Sequence, residues 1–250
     1  MGACCIQYVL LLSLLGFFPC SVTLTCHKGI MVQLDTGFTK KAVEWKSVGT
    51  TKAAHPKICQ ETLLLIDVGI KSLLLGSKGT SKAESKTTLD IQKFSGGPGI
   101  VAASYVHFCD TELCNNADST SVLLNNLSLA SFSKKKKSSE CPVCLKFQGS
   151  CSQEGKFMLC PMATHCYYSD ITVEGGGLNI IFSIDGCLTN SAKDLLNNQT
   201  SVGIFSIIEA SDQNITTSFS HVLVPSTLPV WMLGLRAFLS PLFTKICSLC

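Results

Sequence analysis

Cys141-Pro-Val-Cys144 has the spacing of a thiol–disulfide redox pair, and together with Cys160 and Cys166 it offers four thiolates of the kind that hold zinc. A redox pair needs the strand-to-helix turn of a thioredoxin-like unit, whereas Leu145 leads within a few residues to another cysteine, Cys151. A zinc site built from those four would leave Cys151 and Cys187 without a role. Leu34-Asp35-Thr36-Gly37 matches the aspartic-protease triplet, but that chemistry needs a second carboxylate to share a proton. No second Asp-Thr-Gly or Asp-Ser-Gly occurs, so a turn is the expected role. His27, His55, His107, His165 and His221 are scattered, with no Gly-x-Ser-x-Gly elbow and no His-Glu-x-x-His around them. The Gly-rich segments do not open a helix with a lysine, as phosphate binding would require. The residues predict neither an enzyme nor a cofactor or metal site.

The cysteines make better sense as scaffolding. Of the fifteen, Cys4, Cys5 and Cys20 lie in or beside an N-terminal apolar run, and Cys247 and Cys250 lie in an apolar tail. If both ends are removed, the remaining ten form the even set that a disulfide framework in an oxidising compartment requires. Residues 6–18, IQYVLLLSLLGFF, have signal-peptide length, with small residues Thr23 and Thr25 for a cut near Leu24 or Cys26. Met1-Gly2 and the Cys4-Cys5 pair suggest acylation instead, but Ile6 stands where myristoylation wants Ser or Thr. In the tail, residues 230–243 are apolar except for Arg236, and a mid-membrane charge costs about 2.5–3.5 kcal/mol. A poor apolar tail after small polar residues fits a glycolipid (GPI) attachment signal, with Ser218 as the attachment residue and 221–229 as spacer.

The net charge of +3 is too small to imply a nucleic-acid partner. Between the ends, the length suits two small domains better than one large core. Asn126, Asn198 and Asn214 each begin a glycosylation sequon. Residues 118–140 lack cysteine, are rich in Ser and Asn, and carry Lys134 to Lys137, which reads as a linker with a solvated basic run. On either side the pattern is hairpins. Residues 61–67 and 70–75 meet at Val68-Gly69, 87–94 and 100–109 at Gly96-Gly97-Pro98-Gly99, and 167–173 and 178–184 at Gly175-Gly176-Gly177. Residues 193–197 could form a helical turn. Cysteines near the strand ends imply hairpins tied together at one base.

Cys109-Asp-Thr-Glu-Leu-Cys114-Asn115 is the sharpest local motif: a small disulfide loop with an Asn placed to hydrogen-bond backbone at that base. With the opening MGACCIQYVLLL, the run CQETLLLI, PGIVAASYVHFCDTELCNN, and CPVCLKFQGSC through HCYYSDITVEGGG to DGC, the chain resembles the lymphocyte-antigen-6/urokinase-receptor family of three-finger proteins. Within it, the likeness is to the GPI-anchored testis-expressed and rodent bone members. The resemblance implies an all-β, disulfide-rich fold of two three-finger (snake-toxin-like) domains in tandem. Their bounds are a signal peptide at 1–25, domains at 26–117 and 141–217, the linker at 118–140, and a removed anchor signal at 218–250. It also implies the bonds Cys26–Cys59 and Cys109–Cys114, then Cys141–Cys166, Cys144–Cys151 and Cys160–Cys187.

Family cysteines expected near Ala54, Gly79, Ala192 and Ala210 are absent. Each missing loop closure is worth about 2–4 kcal/mol, so the first domain, with two bonds, is expected to open at lower denaturant than the second. In function, the resemblance implies a non-enzymatic, GPI-anchored surface glycoprotein that binds extracellular or membrane proteins, in reproduction or cell-surface signalling. The expected contacts are finger tips on a rigid base: Val68, Gly69, Gly97, Pro98 and Gly176. The alternative is a secreted three-finger inhibitor of the phospholipase-A2-inhibitor type.

Overall fold

The computed structural model describes residues 23–82, 86–127, 137–151 and 156–211. The signal run, Asn214, Ser218 and the tail, Lys134 to Lys136 and residues 128–136 of the linker lie outside the described residues. The first half forms β1 (Thr23–Asp35), β2 (Gly49–Ala54), β3 (Ile58–Asp67), β4 (Ser72–Ser81), β5 (Thr88–Gly96) and β6 (Val101–Cys109). A four-residue helix α1 (Ser121–Leu124) follows. The second half forms β7 (Lys137–Phe147), β8 (Lys156–Pro161), β9 (Thr164–Gly175), β10 (Leu178–Thr189), β11 (Ser201–Val202) and β12 (Phe205–Ser211). The strands make two six-stranded sheets, ordered β2-β1-β4-β3-β6-β5 and β11-β12-β9-β10-β7-β8, with antiparallel pairing throughout.

The apolar patterns of the two sheets differ because their faces are covered differently. All ten residues of β3 are buried, as are the first seven of β4, so the runs LLLI and LLL do not alternate. One face of this sheet meets the second sheet, and the other is covered by a cluster of Trp45, Met31, Leu63, Leu65, Leu74, Tyr105 and Leu123. In the second sheet β9 alternates, with Tyr167, Ser169, Ile171 and Val173 buried and Tyr168, Asp170 and Glu174 exposed. That is the signature of an antiparallel sheet with one solvated face. Pro142 is tolerated in β7 because residues 137–143 pair only with β8, while 144–147 pair with β10.

Between the sheets lies one apolar core. Leu64, Ile66, Leu73, Leu75, Ile100 and Val106 of the first sheet join Ile171, Val173, Ile180, Phe182, Phe205 and Ile207 of the second in a single cluster. The two small domains that the length suits thus share this core. Residues 118–127 are also folded rather than linker. Trp45 N donates to Asp118 O (2.7 Å), Thr120 N to Val43 O (2.9 Å), and Leu123 is fully buried against Trp45. The leucines of this Ser/Asn-rich stretch carry the packing its polar composition hides. At the start of the chain, Thr23 to Thr25 already belong to β1. Thr25 N donates to Glu112 Oε2 (2.9 Å) and its carbonyl accepts from Leu113 N (2.9 Å), so the domain begins before Cys26. Over 193–197, where a helical turn is expected, residues 193–194 bend and 195–197 form a turn, with Leu195 N and Leu196 N held by the Glu209 carboxylate at 2.5 and 3.0 Å.

The five bonds are Cys26–Cys59, Cys109–Cys114, Cys141–Cys166, Cys144–Cys151 and Cys160–Cys187. Cys26, Cys59 and Cys109 gather in one hub, and Cys141, Cys160 and Cys187 in another, each at one base of its sheet. Alkylating the denatured, unreduced protein should label none of these ten cysteines; mass spectrometry that finds one or two modified would break this connectivity.

Candidate interaction surface

Of the residues whose types or spacing resemble chemical motifs, the cysteines and Asp35 have structural roles. Cys141 bonds Cys166 and Cys144 bonds Cys151, so Cys141 and Cys144 are not a redox couple with each other. The sulfurs of Cys141, Cys160 and Cys187 lie within 4.8 Å of one another, but all three are committed to disulfides and offer no thiolate to a metal. Asp35 is exposed at the end of β1, where its Oδ1 accepts from Thr36 N (2.8 Å) and shapes a turn. Asn115, fully buried, accepts from His27 N (2.8 Å) and donates to His27 O and Gln60 O (2.9 Å each). It ties the Cys109–Cys114 loop to β1 and β3.

Two polar clusters that composition does not reveal fix the loops around this frame. Glu61 sits in the apolar run of β3, with a side chain 1% exposed. Its Oε1 accepts from Tyr105 OH (2.8 Å) and meets His107 Nδ1 at 3.0 Å. Its Oε2 accepts from Ala117 N (3.0 Å) and faces Lys78 Nζ at 3.6 Å. Lys78, equally buried, also donates to Ala117 O and stacks its ammonium 4.4 Å from the Trp45 ring centre. Burial pushes the Lys78 pKa below 10.5, with Glu61 opposing, and raises the Tyr105 phenol, with Glu61 reinforcing. In the second half Glu209 accepts from Tyr167 OH as well as from Leu195 and Leu196. Burial and that carboxylate raise the Tyr167 phenol too. Glu209 neighbours Ala210 and holds the loop that carries Ala192, so hydrogen bonds anchor a segment where the family pattern implied cysteines.

The expected finger-tip contacts do not form a free surface. Val68 is buried in the shared core, Gly97 and Pro98 are half-buried, and Gly69 alone of the five is exposed. Gly176, with φ +58°, lies against Ser77, whose Oγ donates to Gly176 O (2.9 Å). A Cβ there would collide with the Ser77 side chain. Gly99, with φ +99°, lets the first sheet's tip reach the base of the second, where Ile100 N donates to Cys187 O (2.7 Å). Ile204 N also reaches Thr62 Oγ1 (3.4 Å). Gly69 apart, these tip residues turn inward because each sheet uses them to cover the other.

Among the described residues, the outer face of the second sheet is open. Strand register aligns Ser206, Glu174 and Asn179 in one row and Ile208, Thr172 and Ile181 in the next. A third row holds Ala210, Asp170, Ser183 and Lys146. Ile208 and Ile181 are 64% and 52% exposed, and Tyr168, exposed on the same face of β9, stands beyond the Asp170 row. A shallow hollow of about 550 Å³ opens here, lined by Gln148, Asp170, Asn179, Ile181 and Ser183. Asp170 Oδ1 accepts from Ser183 OH (2.5 Å) at its floor. Isolated isoleucines set among carboxylates, amides and hydroxyls can dock a protein surface, and the Ser183 hydroxyl is committed to Asp170 and to Gly149 O.

Two disulfide-hubbed sheets of this kind define a tandem three-finger protein. A family model, the u-PAR/Ly-6 domain, matches residues 137–217. The chain is 43% identical to mouse (Mus musculus) CD177 antigen over 91% of its own length and spans 28% of that protein. It is 31% identical to testis-expressed protein 101 of Cricetulus griseus, covering 90% of this chain and 87% of that protein. The crystal structure of mouse TEX101 superposes with a TM-score of 0.63 at 25% identity, over 75% of this chain and 97% of that one. The chain belongs to the u-PAR/Ly-6 family, whose members matched here are cell-surface, non-enzymatic proteins. Among the described residues no helix is long and apolar enough to cross a membrane.

Proposed function

We propose that the chain is a GPI-anchored surface glycoprotein that binds an extracellular or membrane protein through the outer face of its second sheet. The observation that carries the binding face is the inward turn of the finger tips, which leaves the rows through Thr172 and Glu174 as the open, mixed-polarity surface. Asn126 and Asn198 are exposed and available for glycans. The relatives named testis-expressed direct the search for the partner to reproductive cells. Proximity labelling on expressing cells, comparing the native chain with Thr172→Arg, tests the face. Loss of specific neighbours with unchanged surface expression is expected, and an unchanged neighbour set overturns it.

The anchor has its own test. Phosphatidylinositol-specific phospholipase C should release the protein from cells, with a secreted fraction alongside. Replacing Arg236 by Leu should raise the releasable fraction, because it removes the charge that weakens the tail's hold on the membrane, and Leu233→Asp should lower it. If neither substitution changes the ratio of surface to secreted protein, the tail is not an anchor signal. The secreted-inhibitor reading then takes its place.

A further inference from the structure

β8 is the last strand of the second sheet, and among the described strands it pairs only with β7. Its other edge meets no described strand, and folded proteins ordinarily protect such an edge with charges, prolines or bulges. Here the protection stands only at the ends, as Lys156 and Pro161. Between them Phe157, Met158 and Leu159 are 68%, 42% and 52% exposed, and Met162 just beyond is 53% exposed. In β7–β8 register Phe157 lies opposite Pro142 and Leu159 opposite Glu140, so the two share a face, while Met158 points to the other side with Cys160.

The geometry points to a second copy of this chain as the occupant of that edge, paired antiparallel about Met158. In this register Phe157 of each copy faces Leu159 of the other on one side, and Met158 faces Met158 on the other. Both sides match apolar with apolar. The two Lys156 residues fall at opposite ends, four residues apart along the strand. At about 3.3 Å per residue that is roughly 13 Å, beyond the screening length of about 8 Å at physiological salt. A parallel pairing would set lysine beside lysine. The antiparallel pair is isologous and closes on itself, so it ends at a dimer and not a filament. Pro161, which has no N–H, falls past the last matched pair. The contact is short of the roughly 1,200 Å² of a standard stable interface, so the dimer is a weak one.

The register gives the test a specific form. Sedimentation of the purified full chain over a concentration series should show a reversible monomer–dimer equilibrium. Phe157→Lys and Leu159→Glu should each weaken it at least tenfold, with the fold intact because both side chains are exposed. Mixing the two variants should restore the dimer. The lysine introduced in one copy then meets the glutamate introduced in the other, while the second contact keeps its native Phe157 and Leu159. Met158→Cys should cross-link as a dimer under oxidation, because opposed residues in an antiparallel pair sit about 4.5–5.5 Å apart at Cα, within disulfide reach. Ser206→Cys, on another strand of the sheet, should not. A chain that stays monomeric at all concentrations overturns the proposal, as does a dimer indifferent to both variants or one that mixing fails to restore. Monomers that float with phosphatidylcholine vesicles through Phe157 would assign the edge to a lipid surface instead.

Discussion

Replacing Phe182 by Ala should lower the unfolding free energy of the protein by about 3–5 kcal/mol, the range for deleting a fully buried phenylalanine, and both sheets should lose it together. Phe182 is on β10 and fully buried, and its cluster runs without a break into Leu64, Ile66 and Leu75 of the first sheet. If the second sheet opened alone, it would expose that whole face of the first to water, at about 25 cal/mol for every Å² of apolar surface. Amide exchange of β3 and β10, followed through a urea titration, should therefore share one midpoint in the native chain and shift in step in the variant. Two separate transitions, with only β10 moved by the substitution, would restore the picture of independent domains. A count of bonds alone predicts an earlier opening of the first domain. The shared core makes that count misleading, because whatever a disulfide of the second half contributes is felt by the one cooperative unit.

Hairpins were legible in the sequence because their signals are local. Thr88–Gly96 and Val101–Cys109 flank Gly97-Pro98-Gly99, and Thr164–Gly175 and Leu178–Thr189 flank a glycine run, so turn chemistry and β-rich content coincide. Packing between elements far apart in the chain was not legible. Gly176 read as the tip of a free finger, although a glycine run is equally what close approach to another backbone demands. The non-alternating leucines of β3 and β4 did carry a signal for a sheet covered on both faces, since a one-sided strand would not spend apolar residues on its solvent side. In the segment after Asp118, Leu123 and Leu124 were outweighed by the serines and asparagines around them. Disulfide connectivity was never readable from spacing. It came from the family resemblance, because ten cysteines alone allow too many pairings. Glu61 was hidden for a different reason. A single carboxylate in CQETLLLI reads as the edge of a strand, and only the fold brings Lys78, Tyr105, His107 and Ala117 to it.

Glu61→Leu should be the most damaging single polar-to-apolar change in the first half. It removes the acceptor for Tyr105 OH and Ala117 N and leaves the Lys78 ammonium, 1% exposed, without its counter-charge. Breaking a buried pair from one side costs about 3–5 kcal/mol, mostly through the uncompensated charge that remains. Adding Lys78→Met removes that charge, so the double variant should recover part of the loss, the remainder reflecting the unpaired Tyr105 hydroxyl and Ala117 amide. pH supplies a second readout. Burial already holds the Lys78 pKa below 10.5, and Glu61 is the largest influence raising it back, so in Glu61→Leu it falls further. A lysine whose folded pKa lies below its unfolded value binds fewer protons folded than unfolded between the two. The variant should therefore gain stability as pH rises through that window. The gain should stop near pH 10, where unfolding lets the Tyr105 phenol ionise, a phenol the folded state holds protonated. The double variant lacks the lysine and should show no such rise. Equal urea midpoints for the single and double variants, and no difference in their pH profiles, would mean that Lys78 escapes to solvent once Glu61 is gone. The network would then hold the segment after Cys114 through hydrogen bonds alone, without any contribution from the buried charge.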